Sequence, residues 1–175
     1  MKVLITGTSH GLGKALKELL MLNGYEIGEL NSIDALSHQL PGIVNEFDVF
    51  INNKYSNTLQ SDLFEYVFNK WKYEKKTIVN ILSSALIFDG PNKQYIEDKR
   101  HLENKTFQLR TFDKEVRIIN VYPNTLESSY SVNNQKLKFS EVYSVINWVI
   151  NLPHDIEIFE IGISKTKLKI ENTLL

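Results

Sequence analysis

At 175 residues, with 42% hydrophobic and 23% charged residues, the chain has the size and composition of one folded domain with a full core. Its formal net charge of −1 gives no electrostatic reason to expect nucleic acid or a membrane surface as partner, and no apolar run is long enough to span a bilayer. There is no cysteine, which excludes disulfides, thiolate catalysis and cysteine-ligated zinc; no leader pattern precedes the first strand, so a soluble cytoplasmic protein is expected.

Val3, Leu4 and Ile5 form a short apolar run, as a strand buried on both faces does. Thr6 to Gly13 follow as a turn with three glycines, and Ala15, Leu16, Leu19, Leu20 and Leu22 then recur at helical spacing. Strand, glycine turn and helix in this order open a nucleotide-binding α/β domain. Gly7 permits a sharp turn, Gly11 leaves room for a pyrophosphate against the backbone, and Gly13 lets the helix lie close to the strand. Free N–H groups and the positive end of the helix dipole would face the anion.

The first helix is predicted to stop near Asn23-Gly24, and Tyr25 to Leu30 reads as the second strand. Asn31-Ser32 caps a short helix through Ile33, Leu36 and Leu40, ended or kinked at Pro41. Val49 to Ile51 is the next strand and runs into Asn52-Asn53. Leu63, Tyr66, Val67 and Trp71 share a helical face, and Thr77 to Leu82 is a buried strand bounded by Ser83-Ser84. After a loop at Asp89 to Asn92, a helix is expected from Lys93 to Leu109, then a strand from Val116 to Tyr122 stopped by Pro123-Asn124. A link from Glu127 to Gln135 leads to a helix at Ser140 to Asn151 and a last strand at Ile156 to Ser164. The alternation predicts one α/β domain over 1–175, a doubly wound parallel sheet of about six strands with helices on both faces. No convincing strand lies between Leu30 and Asp48, so the sheet should lack a strand at the edge beyond the second.

Ligands of such sheets sit at the carboxyl ends of the strands. The polar clusters at Thr6 to Gly13, Asn31-Ser32, Asn52-Asn53, Ser83-Ser84 and Pro123 to Ser128 all fall there. Tyr95 and Lys99 stand one helical turn apart on one face. A nearby ammonium stabilises a phenolate, so the pair can pass a proton to or from a carbonyl oxygen. The histidines at 10, 38, 101 and 154 show no metal spacing, and Glu97, Asp98 and Glu103 read as a solvated helix face. A phosphate-loop NTPase is excluded because the loop lacks the Gly-Lys-Ser/Thr ending.

Thr6-Gly7-x-x-x-Gly11-x-Gly13, Asp48-Val49-Phe50-Ile51-Asn52-Asn53, Ile78 to Ser84, Tyr95-x-x-x-Lys99 and Arg117 to Pro123, in series, resemble the short-chain dehydrogenase/reductase family over almost the whole chain. The resemblance implies a compact Rossmann-type member, one strand short of the family's usual seven. It implies hydride transfer between a nicotinamide cofactor and a carbonyl/alcohol pair. Tyr95 would be the general acid/base, Lys99 would hold the nicotinamide ribose, and Ser83, preferred to Ser84, would bond the substrate oxygen. Asn57, before Asn69, would complete the set. The cofactor would lie on Gly7, Thr8, Ser9, His10, Gly11, Leu12 and Gly13, with Asn31, Ser32, Asn52, Asn53, Lys99, Pro123, Leu126 and Ser128. Asn31 falls where an acid would select NAD(H), and His10 where phosphate-preferring relatives often carry a basic residue, so NADP(H) is expected to be preferred. The surplus of aromatic residues on the helices at 60–74 and 93–110, which pair between subunits in the family, implies a homodimer or homotetramer. Lys54-Tyr55 replaces the family's small Ala-Gly, and the Glu127 to Gln135 link is short for a substrate cover. These departures favour the alternative, a non-catalytic member that binds dinucleotide as a sensor or interaction protein.

Overall fold

A computed structural model describes residues 1–30, 40–55, 58–88, 92–127 and 136–165. Its six strands are β1 (Lys2–Thr6), β2 (Glu26–Leu30), β3 (Val49–Asn52), β4 (Thr77–Ile81), β5 (Arg117–Pro123) and β6 (Glu160–Ile163). They form one sheet in the order β2-β1-β3-β4-β5-β6, with every pair parallel. The chain steps outward from β1 to β2, then returns to the other side of β1 and continues to β6. The reversal therefore falls between β1 and β3, and the crevice beyond their carboxyl ends is where such a sheet holds a ligand.

β3, β4 and β5 are buried at every residue, because helices cover both faces and a parallel sheet needs that cover. On one face α1 (Gly11–Leu22) and α6 (Phe139–Ile150) press Leu12, Leu16, Leu20, Val142, Ile146 and Val149 onto the sheet. On the other, α3 (Leu59–Trp71) and α5 (Lys93–Arg110) bury Phe64, Val67, Phe68, Trp71, Leu102 and Leu109. Most of the aromatic surplus seen in the sequence is thus spent inside the subunit. Of that set, Tyr73 and Phe107 remain exposed.

β2 pairs with β1 alone among the described residues, and 40–46 are helical, as α2 (Leu40–Ile43) and a 3-10 turn (Val44–Glu46). This agrees with the expected loss of an edge strand; the short helix expected through Ile33 and Leu36 lies outside the described residues. Pro41 lies within α2 as described, and whether it ends or kinks the helix expected before it falls outside the described residues. Another short helix, α4 (Ala85–Phe88), was not anticipated, since four residues show no periodicity. The last strand begins at Glu160, four residues later than expected, and β5 runs through Pro123 rather than stopping before it.

Gly7 takes φ +71, a left-handed backbone that turns the chain sharply out of β1. Gly13 has a different task. A Cβ there would stand 2.0 Å from the Gly7 carbonyl oxygen, so the first turn of α1 packs directly on the loop backbone. Gly13→Ala should therefore cost about 1–3 kcal/mol in urea unfolding. Gly162→Ala, whose Cβ would meet nothing within 4 Å, should change stability by no more than about 0.5 kcal/mol.

Candidate active site

Two side chains tie the glycine loop to β3. Thr6 Oγ1 accepts the backbone N–H groups of Asn53 and Lys54, both at 2.8 Å. Asn53 Nδ2 donates to the carbonyl oxygens of Thr6 at 3.1 Å and Gly7 at 3.5 Å. The loop then enters α1, whose first N–H groups have no acceptor within the helix. Gly7, the 9–13 stretch, Asn53, Lys54 and Tyr55 line a pocket of about 360 Å³. Nothing lies within 4 Å of where a Cβ on Gly11 would stand, so the loop backbone is open to a close ligand. Leu12 and Gly13 are buried under the loop, Thr8 Oγ1 donates to Glu29, and Ser9 Oγ meets His10 Nδ1 at 2.9 Å. Glu29, near the end of β2, is also bound by Lys17. It is a carboxylate beside the loop that the sequence reading passed over.

A second cluster gathers at the ends of β3, β4 and α5. Asn92 caps α5 by accepting the N–H of Tyr95 at 3.1 Å, which fixes Tyr95 in the first turn. Burial raises the pKa of the Tyr95 phenol, and the Ser83 hydroxyl beside it opposes the rise. The Ser84 hydroxyl instead donates to Asn124 Oδ1 at 3.1 Å, so of the two serines Ser83 is the one that meets the tyrosine. Lys99, one turn further along α5, is 3% exposed. Its Nζ donates to Gln60 Oε1 at 2.8 Å and to the Ile81 carbonyl at 2.7 Å. Removal from water lowers its pKa to about 7. The rings of Tyr95 and Tyr55 lie 5.7 and 5.9 Å from the same nitrogen.

The Gln60 amide has one possible orientation. Its nitrogen donates to the carbonyl oxygens of Asn52 at 2.7 Å and Ile81 at 3.3 Å, which only N–H can do, and this leaves the oxygen facing Lys99. No local signal marks Gln60; it is a polar residue in the first turn of α3, and only the packing of α3 beside α5 gives it a function. Asp98 and Glu103 correct the expectation of a solvated face. Both are under 9% exposed, Asp98 accepting from Tyr55 and Gln94, Glu103 from Tyr122 and Arg100. Partners from neighbouring elements compensate their burial.

The other residues singled out in the sequence have mixed placements. Asn31, Ser32, Asn57 and Ser128 lie outside the described residues. Asn69 is exposed on α3. Asn52 points into the interior, donating to Asn80 Oδ1 at 3.0 Å and the Gln60 carbonyl at 2.9 Å. Pro123 is buried at the end of β5, and Leu126 bridges to Leu137. Among the described residues no group of three or more His, Asp or Glu side chains could hold a metal ion, and no helix is long and apolar enough to cross a membrane.

No family model matches the chain, and no curated protein does. Solved structures resemble it closely in fold. An alcohol dehydrogenase from the archaeon Thermococcus sibiricus, complexed with 5-hydroxy-NADP, aligns over 93% of this chain and 95% of its own, at TM-score 0.71 and 16% identity. A 4-hydroxyisoleucine dehydrogenase complexed with NADH aligns over 93% and 96%, at TM-score 0.73 and 16% identity. A short-chain dehydrogenase/reductase from Serratia marcescens aligns over 93% and 94%, at TM-score 0.68 and 14% identity. At such identities the likeness is one of fold.

The burial of Lys99 sets a pH dependence. Between about pH 7 and its ordinary value of 10.5 the unfolded chain holds a proton on this lysine that the folded chain has released. Folding is therefore opposed in full below about pH 7, and the opposition fades as pH rises through this window. Stability should rise from about pH 7 to 9.5, and the rise should be smaller in Lys99→Met, measured by urea unfolding in matched buffers.

Proposed function

We propose that this protein, which has the fold of the short-chain dehydrogenase/reductases, is an NAD(P)(H)-dependent oxidoreductase acting on a carbonyl/alcohol pair. One observation carries the reading. Ser83 and Tyr95, far apart in sequence, come together at the carboxyl end of an all-parallel sheet, where Ser83 lowers the pKa of the phenol, with Lys99 one turn away and a glycine loop alongside. The loop suits a dinucleotide's phosphates, through the N–H groups opening α1 and the open space at Gly11. Bound there, a nicotinamide supplies or accepts the hydride.

The chain's own residues handle the proton and the orientation. Ser83 bonds the substrate oxygen and Tyr95 gives it a proton as the carbonyl carbon gains hydride; the reverse step returns the proton to Tyr95. Lys99, when charged, stabilises the phenolate left on Tyr95. Gln60 supplies the amide oxygen that Lys99 meets. Assembly as a homodimer or homotetramer through α3 and α5 belongs to the same reading, with Tyr73 and Phe107 as exposed apolar groups on that side.

A second reading, a non-catalytic dinucleotide-binding protein, is favoured by the inward turn of Lys99 and by the Tyr55 ring, 4.9 Å from that of Tyr95. A screen of carbonyl compounds with NADPH, followed by absorbance, separates the two. On a substrate so found, Tyr95→Phe should lower kcat at least about 100-fold while cofactor affinity holds; a wild-type rate in that variant would remove Tyr95 from the mechanism.

NADPH should bind better than NADH, by on the order of tenfold or about 1.4 kcal/mol. Asn31 and His10 motivate this, and Lys17 offsets the charge of Glu29 nearby. Calorimetric titration of both cofactors checks it, and a preference for NADH would overturn it.

A further inference from the structure

Tyr55 stands across the middle of the cleft. It follows Asn52-Asn53-Lys54 at the end of β3, yet its hydroxyl reaches α5 and donates to Asp98 Oδ2 at 2.7 Å. Asp98 is 7% exposed and is held on its other oxygen by Gln94 at 3.1 Å, so it is a fixed post rather than a passing surface contact. The Tyr55 ring meets Tyr95 edge to face, with centroids 4.9 Å apart. That bond to a carboxylate pushes the Tyr55 hydroxyl up to about 12, so it remains a donor throughout the neutral range. The pocket on the glycine loop ends at Lys54 and Tyr55; neither Ser83, Tyr95 nor Lys99 lines it. One side chain thus separates the anion-binding end of the cleft from the proton-transfer end.

We propose that Tyr55 is the specificity-determining wall of this cleft: bonded to Asp98 it confines a ligand anchored on the glycine loop to the loop side, and a ligand as long as a nicotinamide dinucleotide reaches Ser83 and Tyr95 only when Tyr55 leaves Asp98. The proposal rests on the dinucleotide reading of the loop. It follows that the short, phosphate-bearing half of a dinucleotide binds without displacing Tyr55, whereas the whole molecule binds against the cost of breaking a half-buried charge-assisted hydrogen bond and an aromatic contact. Discrimination between mononucleotide and dinucleotide is therefore set at residue 55.

The test compares ADP, which spans the loop side alone, with NADPH, by calorimetry on the wild-type chain, Tyr55→Ala and Tyr55→Phe. Tyr55 is 40% exposed, so its truncation leaves the core intact, and Tyr55→Phe keeps the ring while losing only the bond to Asp98. NADPH should bind at least fivefold tighter to Tyr55→Ala and at least twofold tighter to Tyr55→Phe, while ADP changes less than twofold in both. If NADPH gains nothing, or ADP gains as much, the wall is refuted and the loop's nucleotide reading stands. If neither ligand binds any of the three proteins, the dinucleotide reading falls and the wall with it.

Discussion

A lysine taken out of water must be surrounded by oxygen atoms, and the whole functional end of this fold is arranged around meeting that demand for Lys99. Two acceptors supply it, the Ile81 carbonyl from the end of β4 and the Gln60 amide from the start of α3. Gln60 is itself fixed by carbonyls of β3 and β4, so three elements are tied to one nitrogen. Two N–H bonds satisfy a neutral amine; an ammonium has one more donor, and what it faces is the two tyrosine rings. The lowered pKa of Lys99 follows from its removal from water.

The same polar thread continues under the site. Asn52, Asn80 and Asn120 stand side by side on β3, β4 and β5, fully buried, with Asn80 donating to Asn120 at 3.3 Å and to Thr106 at 3.2 Å. Apolar residues at these positions would pack without any polar cost. Three amides in one row instead lock the register of the central strands, because a slip by one residue would leave each of them without its partner in the interior. Asn52 therefore belongs to the scaffold beneath the cleft, while its neighbour Asn53 faces the glycine loop.

The parts of the fold written in short-range pattern were readable from the chain. The β-branched run at 77–82, the glycine spacing at 7–13 and the punctuation at Asn23-Gly24 each reflect a local constraint, and each element fell within a residue or two of its place. What escaped depends on packing between distant segments. Asp98 and Glu103 lie on a helix rich in charge, and nothing in that stretch tells which carboxylates a tyrosine from β5 or from the β3 end will cover. Gln60 is an unremarkable amide until α5 is laid beside α3. Tyr55 was visible as a bulky residue where a small one was expected; its reach to Asp98 was not.

The position of β2 has a further consequence, for how the molecule behaves in a crowd. Among the described residues its outer edge has no partner strand, and an open edge is a template on which another chain can add itself. The composition of β2 works against recruitment. It is only five residues long, it carries glutamates at 26 and 29 and a glycine at 28, and Lys2 and Lys17 draw those carboxylates toward their own subunit. Fibril growth needs a flat, uncharged, unbroken strand. Among the described residues the sheet ends on β2, a short, acidic and glycine-broken strand, so this edge carries its own protection against self-templated aggregation.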